Sequence, residues 1–129
     1  HLFVSSGGKN IAPQPIENMF SGTEFIDQFI LIGDKRMFLT ALIYPDYNYL
    51  REYADSHEIE YTDTADLATN PEIYLMIENR IRSTQKDLPN YERIRRFALL
   101  EMTPTLKIKR KVVEERYRDL IDEMYHELG

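Results

Sequence analysis

The amino-acid sequence predicts an α+β fold, in which a small and mostly antiparallel sheet is flanked by helices and preceded by an N-terminal β-hairpin. Two apolar runs typical of strands, at 25–32 and 37–44, are joined by a four-residue turn. Segments with helical spacing of apolar residues alternate with such runs. At 129 residues the chain has the size of one domain, so we expect a single unit over residues 1–129.

The first 21 residues predict a hairpin and a short helix. Residues 2–5 and 10–12 have extended character, and two adjacent glycines between them indicate a tight turn at the hairpin tip. Pro15 is suited to a first helical position, and Ile16, Met19 and Phe20 recur at helical spacing. We therefore expect a helix over 15–21.

The next elements are two central strands, followed by helices and a third strand. The runs at 25–32 and 37–44 predict an antiparallel pair, and turn chemistry alone explains residues 33–36. Asp46 is placed to cap a helix, whereas 57–64 has no strong periodicity. A further strand is expected at 93–100.

Two longer helices are indicated by stripes of apolar residues. Asn70 followed by Pro71 is typical of a helix start, and Pro89 should end this helix. Its apolar stripe comprises Ile73, Ile77, Ile81 and Leu88. A single C-terminal helix ended by Gly129 should have one apolar face, formed by Val113, Tyr117, Leu120, Ile121, Met124 and Leu128.

Composition and charge exclude several classes of function. Sixteen Lys and Arg against 22 Asp and Glu give a net charge of −6, which argues against nucleic-acid binding. The absence of cysteine excludes disulfides and thiolate sites, and His1, His57 and His126 have no ligand spacing, so no metal site is expected. Without a membrane span or signal peptide, the expected compartment is the cytoplasm.

The first candidate site is the pair Gly7 and Gly8, followed by Lys9. Adjacent glycines let a backbone approach a ligand closely, and a nearby lysine can reach a phosphate. The segment matches neither the P-loop nor the dinucleotide-binding spacing. On these residues alone, a tight hairpin turn with no ligand is the more common explanation.

The second candidate site is the basic segment 107–111. If this segment is extended, Lys107 and Lys109 lie on the face opposite Leu106 and Ile108, which suits the presentation of an ammonium group in a cleft. The alternative is a solvated basic surface or a weak patch for anionic partners. No acid/base dyad or activated nucleophile is evident elsewhere.

Three segments together resemble a known family. They are SGGKNIAPQPIE at 6–17, IGDKR at 32–36 and TPTLKIKRK at 103–111. In this order and separation they resemble the C-terminal domain of long-chain fatty acyl-CoA synthetases, members of the adenylate-forming AMP-binding enzymes, over essentially the whole chain. The resemblance implies a C-terminal cap domain at 1–129, with a large N-terminal adenylation domain outside this chain.

The resemblance also implies a long-chain fatty-acid–CoA ligase reaction with assigned residues. ATP and a fatty acid form acyl-AMP with Mg²⁺, and the CoA thiol then displaces AMP. Lys107 matches the catalytic lysine of adenylation. Gly7 and Gly8 match the loop that forms the pantetheine passage, beside which Lys9 would meet a CoA phosphate. The partners implied are the chain's own adenylation domain, fatty acid, ATP and CoA, with peripheral membrane association of the full-length enzyme and an inactive isolated chain.

Two departures from the family pattern bear on these expectations. Leu106 precedes the lysine where the wider superfamily has glycine, which is typical of the long-chain type. Leu100 joins Glu101 directly, where relatives have a longer connection. Two alternatives stay open: another acyl-activating ligase, such as a fatty-acyl-AMP ligase serving a carrier protein, or a free-standing module that binds a partner or an acidic surface through 107–111.

Overall fold

The computed structural model describes residues 2–101 and 110–126. It begins with the expected hairpin, in which strand β1 (Phe3–Val4) pairs antiparallel with strand β2 (Asn10–Ile11). Helix α1 (Pro13–Ser21) starts two residues earlier than predicted, because Pro13 itself occupies the first helical turn. Glu17 of α1 is 9% exposed, and its carboxylate accepts a hydrogen bond of 2.9 Å from the Leu31 backbone N–H.

The central sheet has three strands in the order β3-β4-β5. Strand β3 (Ile26–Ile32) runs antiparallel to β4 (Leu39–Pro45), as predicted, whereas β5 (Ile94–Leu99) runs parallel to β4. Two of the three strand pairings in the described residues are therefore antiparallel, and the predicted fold class is confirmed. The parallel pairing follows from the long helical connection between β4 and β5.

That connection contains three helices: α2 (Tyr47–Ser56), α3 (Thr64–Thr69) and α4 (Pro71–Thr84). The two predicted caps are confirmed: Asp46 accepts the Tyr49 N–H, and Asn70 accepts the N–H groups of α4's first turn. Helix α3 was not predicted. It is six residues long, too short for an apolar period, and is fixed by reciprocal capping between Asp63 and Asp66.

The prediction that Pro89 ends the long helix was wrong. Helix α4 ends at Thr84, and Leu88 lies beyond it. Gln85, 8% exposed, uses its side-chain amide to pair with the backbone of Ile94: its Nε2 donates to the Ile94 carbonyl (3.0 Å), and its Oε1 accepts the Ile94 N–H (2.9 Å). The first residue of β5 is thus held by a side chain at the helix end, a long-range contact that local periodicity does not contain.

The predicted C-terminal helix is interrupted at Tyr117, which separates α5 (Arg110–Arg116) from α6 (Arg118–His126). Helical hydrogen bonds cross the interruption, because the Tyr117 N–H donates to Val113 and the Ile121 N–H donates to Tyr117. The Tyr117 hydroxyl lies 3.0 Å from that of Tyr44, which links the interruption to the sheet. The predicted end of this helix, residues 128 and 129, lies outside the described residues.

Two hydrophobic cores cover the two faces of the sheet. The larger core packs the hairpin and α1–α4 against one face, with Phe20, Phe29 and Leu31 among its members. The smaller core lies under α5 and α6. It contains Ile30, Ile32, Leu42, Tyr44, Leu100, Val113, Ile121 and Met124. Because both faces are covered, every residue of β4 is buried, which explains why its sequence is apolar at most positions.

We expect Gly33→Ala to lower the free energy of unfolding by about 1–3 kcal/mol. An alanine Cβ at this position would lie 2.2 Å from Cδ2 of Leu39. Leu39 is 1% exposed, so its methyl group can move only by displacing the core. Urea unfolding of the 129-residue chain measures the change.

Gly22→Ala is the matched control for this substitution. Its Cβ would meet its nearest neighbour, the Asn18 carbonyl oxygen, at an ordinary 3.8 Å, so stability should change by less than about 0.5 kcal/mol. If Gly33→Ala were as neutral as Gly22→Ala, Leu39 would have free space that the structure does not show.

Candidate functional site

The Gly-Gly hairpin tip is an exposed turn with different requirements at its two glycines. Gly8 has a φ of +85°, a conformation that L side chains rarely adopt, and its N–H donates to the Ser5 carbonyl at 2.9 Å. Gly7 has no positive φ, and a Cβ added there would meet Ser5 Oγ at 3.9 Å. A Cβ on Gly8 meets no heavy atom of the described residues within 4 Å. The turn therefore requires glycine at 8 but not at 7.

Lys9 follows the tip and lies beside an aromatic ring, a contact that was not predicted from the sequence. Its Nζ is 5.3 Å from the ring centroid of Tyr91, which belongs to a 3-10 turn at Asn90–Glu92. Both side chains are exposed. A cation over an aromatic face is attracted by the ring quadrupole, so this contact favours one position of the ammonium beside the tip. No local pattern links residues 82 positions apart.

The hairpin is attached to the turn formed by residues 33–36, which we call the 33–36 turn. The Val4 N–H donates to Asp34 Oδ1 at 3.0 Å, and the Lys35 N–H donates to the Val4 carbonyl at 2.8 Å. The Ser6 N–H donates to the Arg36 carbonyl at 3.0 Å. The prediction that turn chemistry alone explains 33–36 was therefore incomplete, because the turn also supports the hairpin.

The predicted site residue Lys107 lies outside the described residues, between Glu101 and the first residue of α5. Leu100, near the end of the described range 2–101, is held by two hydrogen bonds. The Leu100 N–H donates to the Ile43 carbonyl at 2.8 Å, and the Tyr47 hydroxyl donates to the Leu100 carbonyl at 2.5 Å. Of the predicted site residues, Gly7, Gly8 and Lys9 lie within the described residues, and the structure places them together at the hairpin tip.

Tyr47→Phe should make the stability of the domain less dependent on pH above 10. Burial, with smaller effects from the Glu101 charge and from Tyr44, raises the pKa of Tyr47 from 10.0 to about 12. A raised pKa means that the folded state favours the neutral hydroxyl. The contribution of this pKa shift of Tyr47 to the free energy of unfolding is complete below pH 10 and is lost as the pH rises towards 12.

We expect this variant to lose about 1 kcal/mol of stability at pH 7, from the hydrogen bond to Leu100, and to show a flatter decline above pH 10. Urea unfolding from pH 7 to pH 12 measures both effects. Tyr91→Phe is the control, because the Tyr91 side chain is exposed and this change retains the ring beside Lys9. An unchanged alkaline slope in Tyr47→Phe would contradict the account.

Charged side chains are mixed along the surface beside the 33–36 turn. A cavity of about 300 Å³ between this turn and helices α5 and α6 is lined by side chains of both charges, among them Lys111, Arg118 and Glu115. In residues 2–101 and 110–126, no group of three or more His, Asp or Glu side chains could hold a metal ion. None of the described helices is long and apolar enough to cross a membrane.

Comparison with known proteins identifies relatives along the whole chain. A family model for the AMP-binding enzyme C-terminal domain matches residues 1–129. The long-chain-fatty-acid–CoA ligase FadD15 of Mycobacterium tuberculosis is 30% identical over 135 residues, which cover 97% of this chain and 22% of that protein. The peroxisomal long chain acyl-CoA synthetase 6 of Arabidopsis thaliana is 30% identical, covering 100% of this chain and 20% of that protein. The chain thus spans about a fifth of the length of these curated relatives.

Solved structures agree with the fold. The adenylation domain of a carboxylate reductase from Mycobacterium chelonae superposes with a TM-score of 0.72 at 22% identity, covering 97% of this chain and 19% of that one. The adenylation domain of a carboxylic acid reductase from Segniliparus rugosus, in complex with AMP and a co-purified carboxylic acid, gives a TM-score of 0.69 at 19% identity. It covers 99% of this chain and 20% of that one.

Proposed function

The chain belongs to the AMP-binding enzyme C-terminal domain family, and from this membership we propose that it is the cap domain of a long-chain fatty-acid–CoA ligase. The resemblance identified in the sequence is confirmed by this membership and by relatives named long-chain fatty-acid–CoA ligases. The observation that carries the proposal is the match along residues 1–129, since it includes all three segments that carry the resemblance.

In the proposed reaction, the full-length enzyme converts a fatty acid and ATP into acyl-AMP and pyrophosphate. The CoA thiol then attacks the acyl carbon, forming the thioester and releasing AMP. We assign Lys107 to the first step, in which a compact ammonium near the α-phosphate offsets the charge that develops at the reacting phosphorus. Because the rest of the active site belongs to the adenylation domain, the isolated 129-residue chain should be inactive.

We assign the hairpin tip to the second step. The tip is exposed, and glycine at 7 is not required by the turn itself, which supports a passage for the pantetheine arm along these residues. Lys9, positioned beside Tyr91, is suited to meet a phosphate of CoA.

The proposal includes ATP, CoA and Mg²⁺ as cofactors and co-substrates of the full-length enzyme. The described residues of this chain contain no cluster suited to a metal ion, so we place Mg²⁺ in the adenylation domain with the ATP phosphates. The chain's partner is that domain, and nucleic acid is not a partner. We place the enzyme in the cytoplasm, where the full-length protein associates peripherally with membranes to reach its fatty acid.

The test is a product assay on the full-length protein that contains this chain. Palmitate, ATP and Mg²⁺ are supplied with CoA, without CoA, or with a carrier protein bearing a phosphopantetheine arm. We expect palmitoyl-CoA with CoA, and acyl-AMP without it. Transfer of the acyl group from acyl-AMP to the carrier but not to CoA would identify a fatty-acyl-AMP ligase. If no acyl-AMP forms at all, the remaining interpretation is a free-standing binding module.

A further inference from the structure

We propose that the 33–36 turn positions two functional segments at once, with the Asp34 side chain holding the Gly-Gly hairpin and the Arg36 side chain holding helix α6. The inference rests on the proposed function, because its activity test uses the two half-reactions. It assigns a role to the one sequence segment of the resemblance, IGDKR, that the proposed chemistry does not use.

On the hairpin side, the turn supplies support that the hairpin itself lacks. The paired strands contribute only two residue pairs, Phe3 with Ile11 and Val4 with Asn10. A two-stranded hairpin of this size is not stable on its own in water. The hydrogen bond from the Val4 N–H to Asp34 Oδ1, at 3.0 Å, fixes the strand that leads into the tip.

On the helix side, Arg36 contacts two residues of α6. Its guanidinium lies 3.2 Å from Asp122 Oδ1 and 4.5 Å from the ring centroid of Tyr125. The ion pair is partly exposed, at 36% for Arg36 and 58% for Asp122, so it contributes little alone.

Tyr125 adds contacts that hold α6 to the same region. Its hydroxyl donates to the Phe38 carbonyl at 2.8 Å and accepts from Thr40 Oγ1 at 3.2 Å. Its ring packs at 4.6 Å from the ring of Phe38. Arg36 and Tyr125 together therefore fix α6 against the start of β4.

Adjacent α5 transmits this restraint along the chain. Val113 of α5 is buried in the same core as Ile121 of α6, and α5 begins three residues after Lys107 in the sequence. Loosening α6 should therefore disturb the step assigned to Lys107, whereas loosening the hairpin should disturb the step assigned to the tip. We therefore expect replacement of Asp34 and replacement of Arg36 to impair different half-reactions, although both residues belong to the same turn.

Asp34→Ala in the full-length protein tests the hairpin side. We expect thioester formation from supplied acyl-AMP to fall about tenfold, with adenylate formation changed less than about twofold, because a small displacement of a positioning group lowers rate strongly. Asp34→Asn retains an oxygen that accepts the Val4 N–H, so it should restore the thioester step.

Arg36→Met and Tyr125→Phe test the helix side. Each should lower adenylate formation by about tenfold while leaving thioester formation within about twofold. Arg82→Met is the matched control, because it removes a partly exposed ion pair, to Glu78 at 3.7 Å, from a different part of the surface. Neither half-reaction should respond to it.

Amide hydrogen exchange of the same variants provides a readout that does not depend on catalysis. Asp34→Ala should accelerate exchange in residues 3–11 but not in 118–126, and Arg36→Met should do the reverse. Equal loss of both half-reactions, or exchange that rises throughout the domain, would overturn the inference and leave the turn a purely structural element. A wild-type protein that catalyses neither half-reaction would instead contradict the proposed function, while the exchange pattern still decides the inference.

Discussion

Replacing Lys107 with alanine in the full-length protein should slow adenylate formation by about 100-fold or more, while thioester formation from supplied acyl-AMP changes little. Removing one preorganised charge from a phosphoryl-transfer site commonly costs on the order of 100- to 1,000-fold in rate. The charge is needed where the α-phosphate changes its bonding, and that event is complete before CoA attacks. Pyrophosphate release and acyl-CoA formation, measured separately, give the two rates.

Lys111→Ala is the control for this prediction. Lys111 belongs to the same basic run but is an exposed residue of α5, so both half-reactions should proceed at the wild-type rate. If Lys107→Ala slowed both steps equally, the lysine would act in folding or in general binding. If Lys111→Ala slowed adenylation as strongly, the basic run would act by its summed charge.

Gly7→Leu should block thioester formation and leave adenylate formation and stability intact. Residue 7 has no positive φ, and a Cβ there meets Ser5 Oγ at an ordinary 3.9 Å, so we expect the larger side chain to extend from the exposed tip without backbone strain. If this tip forms a wall of the pantetheine passage, the added bulk closes it. We expect a loss of about 100-fold or more in the CoA-dependent step, the scale of a misplaced reacting group.

Gly8→Ala separates strain from bulk at the same tip. Its φ of +85° should cost an alanine about 1–2 kcal/mol of stability, although the added methyl group is small. We expect a lower melting temperature with both half-reactions affected alike. Gly8→Leu combines backbone strain with side-chain bulk, so it cannot separate the two effects. A Gly7→Leu enzyme that forms acyl-CoA at the wild-type rate would contradict the passage and leave only the structural requirement for glycine at position 8.

Local signals in the sequence were sufficient for most individual elements. Asp46 and Asn70 cap helices as predicted because a side-chain acceptor acts on the N–H groups of the next turn. The glycine tip and the apolar runs around residues 33–36 predicted both antiparallel pairs. Such features depend on neighbours within a few residues, and a single sequence contains them.

Contacts between distant segments explain what the sequence did not predict. Gln85 ends α4 early because it pairs with Ile94 in β5, and β5 is parallel because of where the crossover helices pack. The second role of the 33–36 turn depends on Val4, 30 residues earlier, and on Asp122, 86 residues later. At the candidate site, the glycines were found from the sequence, whereas the contact between Lys9 and Tyr91 required the fold.

The most direct measurement of the central claim compares the full-length protein with a truncated form that lacks these 129 residues, in both half-reactions with palmitate. If this domain supplies Lys107 to one step and the hairpin tip to the other, truncation should slow adenylate formation and thioester formation each by about 100-fold or more. A truncated protein that forms palmitoyl-CoA from palmitate, ATP and CoA at the full-length rate would contradict the account.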